Sequence, residues 1–369
     1  MDFDFTEDQE SLRDAVRRWV DKDYDFARRH ATVKAGGFSR EAWNGLVGLG
    51  LTGLAVPEAH GGLGFGAVDA MVVMEELGRG IVMEPYAQAG LMAPTVLLQA
   101  PETVQAEWLP KIAGGEAMVV LALQERGARY DLSKVTATVL DGQLTGHKSL
   151  VAAGDQADAF IVPALADGGL ALFLVERSAA GVSTRPYSLQ DGSRAADVTF
   201  TASPATLLVG TDCGLAALEL AVDVGIAALC AEAVGAMEKL VAITVEYMNT
   251  RKQFGVVISS FQALRHRVAD VKMQLELARS MSYFATLKLG EAPDARRRAL
   301  SQAKLQLGNS MRYVGQQCTQ LHGGIGVTDE YISSHYFKRL TTMEMQFGDS
   351  LHHLGEVSSR MQDTAGVFA

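Results

Sequence analysis

Two segments combine residue types that suit the binding of an anion. Arg251-Lys252-Gln253-Phe254-Gly255 closes a long helical pattern and is followed by Ser260-Phe261-Gln262. Further along, Gln320-Leu321-His322-Gly323-Gly324-Ile325-Gly326 follows another helical run. An arginine pairs with phosphate oxygens through charge-assisted hydrogen bonds. Glycines let the backbone approach a ligand closely, and turn backbone presents N–H groups to an anion. Each segment also has a plainer reading on its own. Arg251 and Gly255 suit a helix C-terminus as charge complement and cap, the glycine cluster suits a turn, and His322 suits a packed loop position.

The elements that must position these residues fall into three stretches. Residues 1 to about 115 read as helical. Thr6 followed by Gln9 predicts a capping box, and Leu12, Val16, Trp19 and Val20 share one helical face. From about 118 to 208 the pattern shifts to short runs rich in Val, Leu and Ile at 118–123, 160–163 and 170–175. Asp141-Gly142 predicts a hairpin between two of these segments. From about 212 onward long helices return, expected over 227–249, 261–287, 296–320 and 333–361.

The chain has 369 residues, enough for two or three domains, and an ordinary soluble composition with 21% charged residues. Its net charge of −10 argues against nucleic acid or an anionic membrane as a general partner. The three cysteines, Cys213, Cys230 and Cys318, show no metal-ligand or redox spacing, so a reduced cytoplasmic setting is expected, with no metal site. Met1-Asp2-Phe3-Asp4 has neither the basic nor the apolar region of a signal peptide. The apolar stretch 214–234 is broken by Glu219, Asp223 and Glu232, which predicts a buried helix and no membrane insertion.

Taken as a pair, Arg-x-Gln-Phe-Gly with Phe-Gln and Gln-x-x-Gly-Gly-x-Gly, in a helical, β, helical order, resemble the acyl-CoA dehydrogenase family over essentially the whole chain. The resemblance implies a mainly α fold with a central β domain: an N-terminal helical domain (1–117), a middle β-barrel-like domain (118–210) and a C-terminal four-helix bundle (211–369). It implies FAD as cofactor, an acyl-CoA substrate undergoing α,β-dehydrogenation, and an acceptor of the electron-transfer flavoprotein type. In that family these C-terminal elements hold the flavin's nucleotide from a neighbouring subunit. Arg251, Gln253, Phe254, Gln262, Gln320, Gly323 and Gly324 are therefore expected to contact FAD.

The family's chemistry needs a carboxylate to take the proton next to the thioester carbonyl. Counting from Gln-x-x-Gly-Gly puts Phe347, ahead of Gly348, where the family carries its Glu. The alternative family position, at the start of the long C-terminal helix, comes to Gly225 and Ile226, with Asp223 nearby. Glu344 and Asp349 are the weak substitute candidates, with His352, His353 or Lys338 as ordinary ion-pair partners for them. Where the family has Thr-Glu-Pro-Gly-x-Gly-Ser-Asp against the flavin, the chain reads Gln124-Glu125-Arg126-Gly127-Ala128-Arg129-Tyr130-Asp131. Where it has Trp-Ile-Thr, the chain reads Leu150-Val151-Ala152. What is lost faces a flavin in this chain's own cleft, and what is kept faces a neighbour's. That asymmetry resembles the base-lacking small subunit of heterotetrameric acyl-CoA dehydrogenases. The other expectations are a self-sufficient homo-oligomer using a substitute carboxylate, and a non-catalytic acyl-CoA or protein-binding module.

Overall fold

In a computed structural model, residues 5–361 are described. In chain order they form α1 (Glu7–Asp23), α2 (Phe26–Lys34), α3 (Arg40–Gly48), α4 (Ala67–Arg79), α5 (Ala93–Leu97) and α6 (Glu102–Ala113). Eight strands follow: β1 (Val119–Leu121), β2 (Thr138–Leu140), β3 (Gln143–Ala152), β4 (Ala159–Ala166), β5 (Gly169–Glu176), β6 (Val182–Ser188), β7 (Arg194–Pro204) and β8 (Thr206–Val209). Then come α7 (Gly214–Thr250), the short hairpin β9 (Lys252–Gln253) and β10 (Val256–Val257), α8 (Gln262–Lys288), α9 (Pro293–His322), α10 (Ile332–Met345) and α11 (Ser350–Met361). The helical, β, helical order is the one expected. By contact the chain sorts into two compact units, one from residues up to 26, 71–82 and 226 onward, the other from 27–70 and 83–225.

The first unit is helical. Thr6 and Gln9 make the expected reciprocal cap on α1, each side chain accepting the other's backbone N–H. α4 and α7 cross at backbone contact. A Cβ at Gly235 would stand 1.8 Å from the Glu75 carbonyl oxygen, and one at Gly78 would stand 2.0 Å from that of Glu232. Beside this crossing Glu76 accepts from Arg17 and Arg79, and Glu232 pairs with Arg339. α7 is long and apolar enough to cross a membrane, but 72% of its most apolar window is buried in the fold, so it serves as a core helix.

The expected single helix over 333–361 is two. α10 ends at Met345 and α11 begins at Ser350, with Phe347 and Gly348 between them at φ +57° and +115°. These left-handed backbone values break the helix, and Gly348 is the residue that makes the break inexpensive.

In the second unit an eight-stranded sheet runs β6-β7-β3-β2-β4-β5-β8, with β1 added beside β4. Asp141 and Gly142 turn β2 into β3 at φ +49° and +74°, the two-residue turn their types predicted. Phe160 and Phe200 meet edge to face at 5.9 Å in the core under the sheet. β3 carries a bulge between Lys148 and Val151, where Leu150 adopts φ +57°.

Two outcomes are expected from the α4–α7 crossing. Gly235→Ala drives a methyl into the Glu75 carbonyl, and should cost roughly 1–3 kcal/mol or more, read as a lower thermal midpoint. Glu75 itself is buried with one carboxylate oxygen unpartnered. Burial pushes its carboxyl up to about 7 against the pull of Arg279 and Arg13. The folded state then binds more protons than the unfolded one between the ordinary 4.5 and about 7, so this contribution to stability declines as pH rises through that window. Glu75→Gln should flatten the decline of the thermal midpoint there; an unchanged slope would place the titration elsewhere.

Candidate functional site

The two anion-suited segments converge on one end of the helical unit. Met248 at the end of α7, Ile258 after the β9–β10 hairpin and Leu321 at the end of α9 form a single buried cluster, with Tyr247, Phe261, Leu264 and Val268 packed against it. Tyr247 also stacks on His322, ring centres 4.7 Å apart. His322 follows its plainer reading. It is buried, burial pushes its pKa down, and its Nδ1 donates to the Cys318 carbonyl at 2.8 Å. Phe254 and Gly255 form the tip of the hairpin at φ +52° and +80°. The Phe254 ring is 92% exposed, edge-on to Phe261 at 6.1 Å.

Around this apolar anchor the polar groups are free to act outward. Arg251, Gln253, Gln262, Gln320, Gly323 and Gly324 are all exposed. Among the described residues, none of the four polar side chains has a hydrogen-bond or ion-pair partner. Added Cβ atoms at Gly323 and Gly324 would meet open space within 4 Å. An unpaired guanidinium, several amides and a bare glycine backbone on one surface fit the diphosphate and polar edges of a nucleotide such as that of FAD.

The Phe347 turn lies elsewhere. Lys304 of α9, wholly buried, donates to the Glu344 carbonyl at 2.8 Å and the Gly348 carbonyl at 2.9 Å. Burial lowers its pKa to about 8. His353, pushed down to about 3 chiefly by burial and then by Lys304 and His352, is neutral and donates from Nε2 to the Phe347 carbonyl at 3.1 Å. A Cβ on Gly348 would come within 2.6 Å of that Nε2. Lys304 and Gln320 sit 16 residues apart on α9, about 24 Å at 1.5 Å per residue. Within one chain, the turn and the nucleotide-suited surface therefore serve different places.

The two carboxylates near Phe347 have structural tasks. Glu344 is buried and its Oε1 accepts from the Ser350 N–H, the Ser350 hydroxyl and Arg312. Asp349 accepts the His352 N–H at 2.8 Å, capping α11. Asp223 lies in α7, buried at 1% exposure, with Gly225 and Ile226 on the same helix. The Phe347 ring itself is half-buried and has no proton-accepting atom.

In the β unit a cleft of about 460 Å³ is lined by the 124–129 loop, the β3 bulge and residues of β6 and β7. The loop is anchored by Glu125, which accepts from Lys148 Nζ at 2.6 Å, from the Thr136 N–H and hydroxyl, and from the Ala137 N–H. Burial alone would raise this carboxyl, but the hydrogen bonds from Lys148 and Thr136 hold it below the usual range. Leu150 occupies the bulge, its N–H donating to the Tyr187 hydroxyl, which in turn donates to Asp197. Leu150 and Ala152 stand where the resemblance expects an aromatic wall and a hydroxyl and supply neither; the aromatic and hydroxyl-bearing residues that line the cleft are Tyr187 and Ser149. Sequence reasoning missed Lys304, Tyr187 and Asp197, whose roles depend on pairings between elements distant in the chain; it offered His353 as an ion-pair partner for Glu344 or Asp349, whereas its Nε2 donates to the Phe347 carbonyl; Arg126 and Arg129 were visible only as lost Pro and Gly.

Comparison with known proteins points one way. Residues 6–116 match the family model for the acyl-CoA dehydrogenase N-terminal domain, and 212–362 that for the C-terminal domain. The acyl-CoA dehydrogenase IpdE2 of Mycobacterium tuberculosis is 31% identical over 336 residues, 90% of this chain and 91% of the relative. The solved Tcur3481-Tcur3483 steroid ACAD variant superposes with a TM-score of 0.87 at 28% identity, over 97% of this chain and 99% of that one. The ChsE4-ChsE5 complex from M. tuberculosis gives 0.88 at 26% identity, over 99% and 100%.

The anchoring role of Glu125 is testable by stability. Glu125→Gln leaves Lys148 buried without its counter-ion and should cost roughly 3–5 kcal/mol. Combining it with Lys148→Met should recover much of that loss in chemical unfolding. A double variant no more stable than the single one would show that the pair is not coupled.

Proposed function

Because the chain belongs to the acyl-CoA dehydrogenase family, we propose that it is the base-lacking subunit of a heteromeric acyl-CoA dehydrogenase. The carrying observation is the division within this one chain: exposed, uncommitted polar groups and bare glycine backbone at Arg251 to Gly324, and, between α10 and α11, a turn that presents Phe347, which has no proton-accepting atom. In this reading the partner, a homologous dehydrogenase subunit, provides the carboxylate and the flavin cleft for α,β-dehydrogenation of an acyl-CoA thioester. FAD, when bound, would supply the hydride acceptor, and an electron-transfer flavoprotein-type partner is the acceptor the resemblance implies.

This chain's residues contribute by binding and orientation. The Arg251 guanidinium meets diphosphate oxygens with charge-assisted hydrogen bonds. Gln253, Gln262 and Gln320 offer amide donors and acceptors to the nucleotide, Phe254 offers an apolar face, and Gly323 and Gly324 let it approach the backbone. The similarity to a complex of two named components, ChsE4-ChsE5, and to a protein described as a steroid ACAD supports a two-component assembly acting on a bulky acyl thioester. The self-sufficient reading is less well supported: Glu344 is held by Ser350 and Arg312, and Asp349 by the start of α11.

The test is reconstitution. The chain purified alone is expected to show no acyl-CoA-dependent flavin bleaching, and Phe347→Glu in the isolated chain should not create it, because Leu150 and Ala152 also supply no aromatic wall or hydroxyl. Co-expressed with a homologous dehydrogenase subunit that carries the family's Glu, the complex should bleach on acyl-CoA addition. Arg251→Ala in this chain should weaken FAD retention by that complex about 10- to 100-fold, the usual effect of losing a hydrogen bond from a charged group. Stoichiometric FAD reduced by acyl-CoA in the isolated wild-type chain sinks the proposal.

A further inference from the structure

We propose that His322 is the positioning residue of the Gly323–Gly324 surface, and that only its neutral ring holds that surface in place. The first observation is the ring's hydrogen bonding. Nδ1 lies 2.8 Å from the Cys318 carbonyl oxygen. A carbonyl only accepts, so Nδ1 carries the proton and Nε2 keeps a lone pair. His322 is 3% exposed, and its Nε2 meets no hydrogen-bond partner among the described residues. A proton added to Nε2 creates a charged donor buried without an acceptor, a costly state. Burial accordingly holds the ring's pKa below the ordinary 6.5.

The second observation is what grips the ring. Tyr247 of α7 stacks on it with ring centres 4.7 Å apart, and Tyr331, just before α10, lies at 5.2 Å. The two phenol rings are themselves 6.3 Å apart, so the ends of α7 and α9 and the start of α10 meet at this one imidazole. Ring-on-ring burial holds the three together. The titratable groups around His322 are these two phenols and the Cys318 thiol, with the Glu246 carboxylate acting on Tyr331. The cluster on which Tyr247 packs, Met248, Ile258 and Leu321, is apolar. Among the described residues no carboxylate stands against the ring to receive an imidazolium.

The third observation ties the ring to the glycines. His322 is the last residue of α9, and Gly323 leaves the helix at φ +66°. The 3-10 turn Gly323–Val327 then folds back tightly on the helix end. A Cβ at Gly326 would stand 2.8 Å from the Thr319 carbonyl oxygen and 2.9 Å from the His322 Cβ. The turn is packed on His322, so displacing the ring displaces the backbone that Gly323 and Gly324 expose. With its pKa lowered, the folded state binds fewer protons than the unfolded chain, and this stabilisation is lost as pH falls below the ordinary 6.5. The latch belongs to this chain alone; its effect on a bound nucleotide rests on the reading proposed above.

Amide exchange of the full-length chain, expressed as protection factors so that intrinsic pH effects drop out, reads the latch directly. Protection over 323–328 should fall about tenfold between about pH 7.5 and about pH 5, while that of the sheet strands stays level. His322→Phe keeps a stacked ring without a titratable nitrogen and should show equal protection at both pH values. Protection that ignores pH in the wild-type chain, or that falls as far in His322→Phe, overturns the proposal. Nitrogen NMR of the wild-type imidazole gives a second reading that needs no variant. The Nδ1–H tautomer is expected, and an Nε2–H tautomer, or a ring titrating at or above the ordinary 6.5, overturns the latch equally. In the reconstituted complex, FAD retention should fall about tenfold over the same pH range with the wild-type chain and stay level with His322→Phe. If exchange shows the latch and FAD retention ignores it, the latch stands and the nucleotide reading falls.

Discussion

The buried Glu125–Lys148 pair is the constraint around which the β unit is arranged. Lys148 is fully buried on β3 and also donates to the Pro163 carbonyl on β4, so a single ammonium joins the 124–129 loop to two strands of the sheet. A charge held in that place is tolerated only because Glu125 lies against it with its own remaining lone pairs filled by Thr136 and Ala137. The loop is therefore fixed in position whatever side chains its other residues carry. That separation explains how Thr, Pro, Gly and Ser of the family pattern are replaced by Gln124, Arg126, Arg129 and Tyr130 while the backbone path survives.

The same separation of framework from chemistry recurs at the other end of the chain. Lys304 and His353 grip the carbonyls of Glu344, Phe347 and Gly348, so the turn persists although its side chain has no acid–base capacity. Glu344 and Asp349 are acidic residues beside that turn, yet each is satisfied by the start of α11. Proximity in sequence to Phe347 does not make a carboxylate a general base; an unoccupied lone pair and access to substrate are also required. By contrast, the Arg251 and Gln320 segments are packed together through apolar contacts while their polar groups remain uncommitted.

Local signals in the chain carried a good part of this. The Thr6–Gln9 cap and the Asp141-Gly142 turn rest on short-range hydrogen bonding and backbone preference, and both are where their residues predicted. The order of helical and β stretches followed from periodicity. The break between α10 and α11 was missed because apolar periodicity continues across it; the evidence for it lies in Lys304 and His353, which are remote in the chain or on the next helix. The convergence of the two anion-suited segments on Met248, Ile258 and Leu321 is likewise a tertiary fact.

The hairpin tip has a consequence for what the protein can meet. Phe254 is nearly fully exposed, and Val256 beside it is 44% exposed, on a turn held by two left-handed residues. A complementary surface would find there an apolar knob whose backbone is already shaped by the two-residue turn, so that covering it would cost little ordering of the chain.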